Sequence, residues 1–164
     1  MDVHGQYSIE YILILGFCIL LAFSIFPMIY DINELNNIMA AAHTGAILGT
    51  EMDSMAIYPR ETFEDYVEIH PRLKTGSKVI YIGTEYEKGG YDQKYRRNKL
   101  KVKIYASAPS LKYYNDRNCV GDRINYYVRK SICDSFKTEN LTNIYYNPAF
   151  SDRYYITTAE VEWV

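Results

Sequence analysis

The sequence predicts an α+β protein: a long hydrophobic N-terminal α-helix, then a small head domain with an antiparallel β-sheet and a packed helix. Three observations predict it. Ile12 to Tyr30 is a run of nineteen residues without a charge. Apolar residues then continue at helical spacing beyond it, and from Lys78 onward strand-like alternation flanks one amphipathic helical segment. At 164 residues the chain has room for one small domain plus an anchor. A formal net charge of −2 gives no electrostatic reason to expect nucleic acid as a partner.

The apolar run comes first. At 1.5 Å per residue it extends roughly 28 Å, close to the ~30 Å hydrocarbon core of a bilayer. A domain this small offers nothing large enough to wrap such a helix as a core element. A secretory signal peptide would show a basic n-region and small residues at a cleavage site after the apolar stretch. Here the first Lys or Arg is Arg60, and Phe26-Pro27-Met28 is a poor cleavage context. The helix is therefore expected to stay with the product and span the membrane over about residues 12–30. Asp31, Glu34, Glu51 and Asp53 follow it with no basic residue before Arg60, so that side is free to cross while the short N-terminal tail stays cytoplasmic.

Met28, Ile32, Leu35, Met39, Ala42 and Ala46 recur at spacings of four and three, which predicts one continuous helix from about Ile9 to about Ala56. Pro27 is expected to kink or locally open it, Gly45 and Gly49 to weaken its later part, and Pro59 to bound it.

Ahead of the span stands Gln6-Tyr7-Ser8-Ile9-Glu10-Tyr11, a Q-x-S-x-E-Y pattern preceded by Gly5. Four fixed residues arise by chance on the order of once in 10⁵ start positions. The pattern resembles the class III signal peptide of archaeal type IV pilin-like proteins of the methanogen type. The resemblance implies cleavage by a membrane prepilin peptidase between Gly5 and Gln6. It divides the chain into a leader (1–5), a long N-terminal helix (6–58) and an extracellular head (59–164). It also implies assembly, by a membrane platform and its ATPase, into a helical homopolymer at the cell surface, with lipid as the partner before assembly. Ser8, Glu10, Tyr11 and Pro27 are the implied assembly residues; no cofactor, metal or catalytic residue is implied. The family's leaders carry Lys or Arg before the glycine, where this chain has Asp2-Val3-His4.

Glu10 raises a question of chemistry independent of any family. A carboxylate beside hydrocarbon needs a partner or a task. Cleavage before Gln6 would create an α-amine one helical turn upstream, and in a filament a neighbour's amine would meet Glu10 and set the axial register. The competing reading places Glu10 in the headgroup layer. Cyclisation of an N-terminal glutamine would remove the amine's charge.

In the head, Lys78–Tyr86 and Lys99–Ala106 read as strands joined by the polar loop EKGGYDQKYRRN. Leu100, Val102 and Ile104 face inward and Lys99, Lys101 and Lys103 outward. The C-terminal stretch alternates likewise, with Ala159, Val161 and Trp163 inward and Glu160 and Glu162 outward, so Lys–Glu cross-strand pairs are expected. Asp122 is a fair N-cap for a helix to about Phe136, with Ile124, Val128, Ile132 and Phe136 on one face and Tyr127 extending it. Thr62–Ile69 fits either a short helix or a strand. An immunoglobulin-like sandwich is disfavoured by the helix and the few strands.

Eighteen tyrosines, many paired, suit either a wet adhesive surface or half-buried strands. Of the three cysteines, Cys18 is a small hydrophobe in the span. Cys119 and Cys133 can pair only if a loop bearing Cys119 folds back along the helix. His4, His43 and His70 lack metal-ligand spacing, and no phosphate loop or nucleophile elbow occurs, so no enzyme is expected. The basic, tyrosine-bearing stretch Lys94–Lys103 raises DNA capture, but a solvated loop and strand face is simpler. Asn140-Leu141-Thr142 is the one N-x-S/T sequon and a candidate glycan acceptor. The expected function is a structural subunit of a surface filament, with adhesion as a candidate task. The alternative is a membrane-anchored extracellular binding protein, or a minor pilin outside the bulk filament.

Overall fold

A computed structural model describes residues 3–51 and 78–164, with side chains from residue 9 onward. The expected element at Thr62–Ile69, the Pro59 boundary and the last turn of the predicted first helix, to Ala56, lie outside the described residues. Helix α1 is Val3–Glu51, unbroken through Pro27. The hairpin strands β1 (Ile80–Asp92) and β2 (Arg97–Ser107) follow, then helix α2 (Tyr114–Phe136) and a short 3₁₀ turn, Glu139–Leu141. Strands β3 (Ala149–Phe150), β4 (Tyr154–Thr158) and β5 (Glu162–Trp163) complete the chain. The α+β class is as expected. Two compact units result, Met1–Asn36 and Asn37–Val164.

In the second unit the sheet is mixed rather than antiparallel. β2 is its centre. It pairs antiparallel with β1 and, on its other edge, parallel with both β4 and β5, while β3 and β4 pair antiparallel. After α2 the chain re-enters the sheet as β3, which runs opposite to β2. The short reversal from β3 to β4 then brings β4 back in the direction of β2, so the pairing of β4 with β2 is parallel. The C-terminal segment is two strands on one partner, linked where the Ala159 N–H donates to the Val102 carbonyl (2.8 Å). Leu100, Val102 and Ile104 are fully buried, as their alternation predicts, and Val161 is buried with Glu160 and Glu162 exposed. The expected cross-strand pair is present as Lys103–Glu162, and the Glu162 carboxylate holds the Lys103 ammonium above its ordinary pKa. Both side chains are well exposed, so the pair adds little stability.

The predicted loop between the first strands is mostly strand. β1 runs to Asp92, and only residues 93–96 turn. The Asp92 Oδ1 accepts from the Lys94 and Tyr95 N–H groups (2.8 and 3.0 Å), an Asx-type turn, and Arg96 takes a left-handed φ of 52°. The ladder shifts register between Lys88 and Tyr91, which accommodates Gly89-Gly90 as a bulge rather than a break. Tyr95 then packs on Phe150 and Tyr155, and Arg97 lies over the Phe150 ring.

Helix α2 begins eight residues before the predicted Asp122 cap, which is instead an exposed mid-helix residue. Tyr113 is the N-cap, extended and without a capping side-chain bond, so the usual capping signal is missing from the sequence. The predicted end at Phe136 holds: Lys137 adopts a left-handed conformation (φ 55°) and its N–H closes on the last turn. Ile124, Val128 and Ile132 are fully buried and Phe136 half-buried.

This earlier start removes the disulfide option. Cys119 and Cys133 lie on one helix fourteen residues apart, roughly 21 Å along the axis, and all three cysteines are free. Burial raises the Cys133 thiol pKa and makes it a poor nucleophile. Thiol titration of the denatured, unreduced chain is expected to return three thiols, and reductant to leave the thermal midpoint unchanged. Two missing thiols would contradict this arrangement.

From Asn37 onward, α1 packs in the second unit through Ile38, Ala41, Ala42, Gly45, Ala46 and Gly49, all buried. The predicted stripe is partly corrected: Ala42 and Ala46 are on it, Met39 is half-buried, and Met28 and Ile32 are exposed. The glycines are contact points rather than weak points. A Cβ on Gly45 would fall on the Tyr127 carbonyl oxygen and lie 2.6 Å from the Val128 Cα. One on Gly49 would lie 2.7 Å from the Ile124 Cα. Two helix backbones meet here, and only glycine permits the approach. The buried Arg123 Nε donates to the Gly49 carbonyl (3.1 Å), satisfying one of the last carbonyls of α1.

Candidate functional site in the N-terminal helix

The first unit is an α-helix whose side chains from Ile9 to Tyr30 are all exposed. Leu13, Phe17, Leu20 and Phe23 are 62–68% exposed, and Ile14, Phe26 and Ile29 point to other sides of the same helix. An ordinary amphipathic helix has one apolar stripe; this one is apolar all round, the pattern of a helix surrounded by lipid or by other helices. The described helix is long and apolar enough to cross a membrane. Ser24, its one hydroxyl-bearing residue past Tyr11 and before Tyr30, bonds back to the Leu20 carbonyl (2.9 Å), so its hydroxyl makes little demand on the surroundings.

Helical backbone already runs from Val3, across the Gly5–Gln6 bond. Gln6 and Glu10 are therefore placed one turn apart on one face, about 6 Å along the axis. The side chains of Gly5, Gln6 and Ser8 lie outside the described ones. Glu10 and Tyr11 are exposed at the head of the apolar surface, Tyr11 at 74%. Pro27 sits inside the helix without ending it. It removes the donor for the Phe23 carbonyl, a local weakness in the helix's hydrogen-bond ladder.

Asn140 is not part of this constellation. It lies exposed on the Glu139–Leu141 turn just after α2, an accessible position of the kind a glycan acceptor requires. The cations of Lys94–Lys103 partly engage the chain itself: Lys94 lies 5.0 Å from the Tyr95 ring centroid and Lys103 pairs with Glu162. Among the described residues no group of three or more His, Cys, Asp or Glu side chains is placed to hold a metal ion.

One feature of the head had no sequence signal. A cleft of about 480 Å³ lies between the first half of α2 and the last residues of the chain. Its walls come from residues 114–125 and 160–163, which meet only because β5 pairs with β2.

Comparison with protein-family models, curated proteins and solved structures finds no match to this chain.

Proposed function

We propose that the chain is a structural pilin or pilin-like subunit of an archaeal type IV pilus-like surface filament. The observation that carries this reading is the juxtaposition at the N-terminus. A Q-x-S-x-E-Y motif ends where the stretch of α1 that is exposed and apolar on every side begins. In the proposal a prepilin peptidase cuts between Gly5 and Gln6, and lipid covers residues 12–30 in the precursor. The assembly platform and its ATPase then transfer that helix from lipid to the helices of other copies. Apolar contact is nearly equal in the two environments, so packing and the Glu10 charge select the stagger. The head forms the outer surface and Asn140 is offered as its glycan site.

The head's polar cleft favours one second reading, a membrane-anchored extracellular binding protein or minor pilin that does not build the bulk filament. Expression in a host with the assembly machinery separates the two. The filament reading expects surface filaments by electron microscopy that contain this polypeptide with Gln6 as first residue. A monomeric membrane protein retaining Met1 would overturn it.

A further inference from the structure

The cleft beside the C-terminal strand is built like a ligand site, and we infer that it binds a neutral saccharide unit. Asn125 lines it while 94% buried, its relative exposure being 6%. The Asn125 Nδ2 donates to the Ala159 carbonyl (2.8 Å), which fixes the amide's orientation. Its Oδ1 is then a buried acceptor with no hydrogen-bond partner among the described residues. Such an atom is uncommon in a native fold and is answered by a donor brought to it.

The surrounding walls say what kind of donor. Trp163, half-buried, and Tyr114, 68% exposed, supply aromatic surface. The Arg117 guanidinium already lies 6.0 Å from the Trp163 ring centroid, so a cation is present in the wall. Asp122, Glu160 and Glu162 bring carboxylates to the same cleft, that of Glu162 paired with Lys103. A free cation would meet Arg117, and a free anion would meet the carboxylates. A neutral molecule with many hydroxyls suits both: each hydroxyl donates to Asn125 or a carboxylate, or accepts from Arg117 or Asn118. Its apolar C–H face suits an aromatic ring. The volume lies within the range of small-molecule sites.

Trp163 is the only tryptophan in the chain, so its emission reports on this cleft alone. The test uses the full chain as a monomer in dodecylphosphocholine micelles, which carry no sugar headgroup, titrated with maltose, cellobiose and N,N′-diacetylchitobiose. The expected result is a saturable emission change with at least one of them, half-complete at millimolar concentration. Glu160→Gln, at an exposed position where folding is not at stake, should raise the half-saturation about tenfold, the effect of losing one charged hydrogen bond. Asn125→Ala should abolish the response, with circular dichroism verifying the fold. No saturable response to any of the three sugars would overturn the inference. So would a response to trilysine or inorganic phosphate alone, or an unchanged half-saturation in Glu160→Gln. Filament formation plays no part in this experiment, so its result is independent of the pilin proposal.

Discussion

Glu10→Val is expected to leave cleavage at Gly5–Gln6 intact and to abolish filaments. Valine at this position extends an apolar surface that already continues from Ile12 to Tyr30. The variant helix should therefore sit in lipid at least as well as the parent. What disappears is discrimination. A carboxylate held in hydrocarbon without a partner costs about 3 kcal/mol, so each wrongly staggered contact is disfavoured roughly a hundredfold relative to one that meets an amine. With valine every stagger is nearly equivalent, and a homopolymer needs one stagger repeated at each step. The checks are terminal sequencing of the membrane fraction and electron microscopy of the cell surface. Normal filaments from Glu10→Val would remove Glu10 from assembly. The same phenotype in Glu10→Gln would place the requirement on charge rather than on hydrogen bonding.

The second large effect concerns the head. Gly45→Ala should lower its stability by about 1–3 kcal/mol, although alanine is favoured over glycine in a helix by about 1 kcal/mol. The added methyl group would meet the Tyr127 carbonyl oxygen and the Val128 Cα, both backbone atoms that no rotamer change can move aside. The helices must separate, and the contacts of Ala42 and Ala46 on either side loosen with them. At about 4 °C per kcal/mol the midpoint should fall by roughly 4–12 °C, and Gly45→Val should fall further. Gly16→Ala is the control: nothing lies within 4 Å of the added group, and the midpoint should not move. An unchanged midpoint in Gly45→Ala would show that α1 and α2 do not meet at this point.

Much of the architecture is legible in the residues, and the reasons are local. Side-chain alternation fixes which face of β2 is buried, because successive residues of a strand must point to opposite sides. A charge-free run as long as the bilayer is thick identifies the apolar helix by composition and length alone. The end of α2 at Phe136 is marked by the close of its apolar spacing. The start of α2 left no such mark. Its first turns are polar, half-exposed and uncapped, and the better-looking cap at Asp122 belongs to the helix interior. Reading Cys119 as a loop residue follows from that one displacement.

By itself the sequence determined the apolar N-terminal helix with Glu10 at its head, the α+β class, and the Lys–Glu pairing of neighbouring strands. Only the tertiary structure decided that the sheet is mixed, that Gly45 and Gly49 join two helices, and that Asn125, Arg117 and Trp163 share one cleft. The first group rests on period, charge and length, which each segment expresses alone. The second rests on contacts between segments far apart in the chain. A glycine that breaks a helix and one that lets another backbone approach are the same letter until the neighbour is in place.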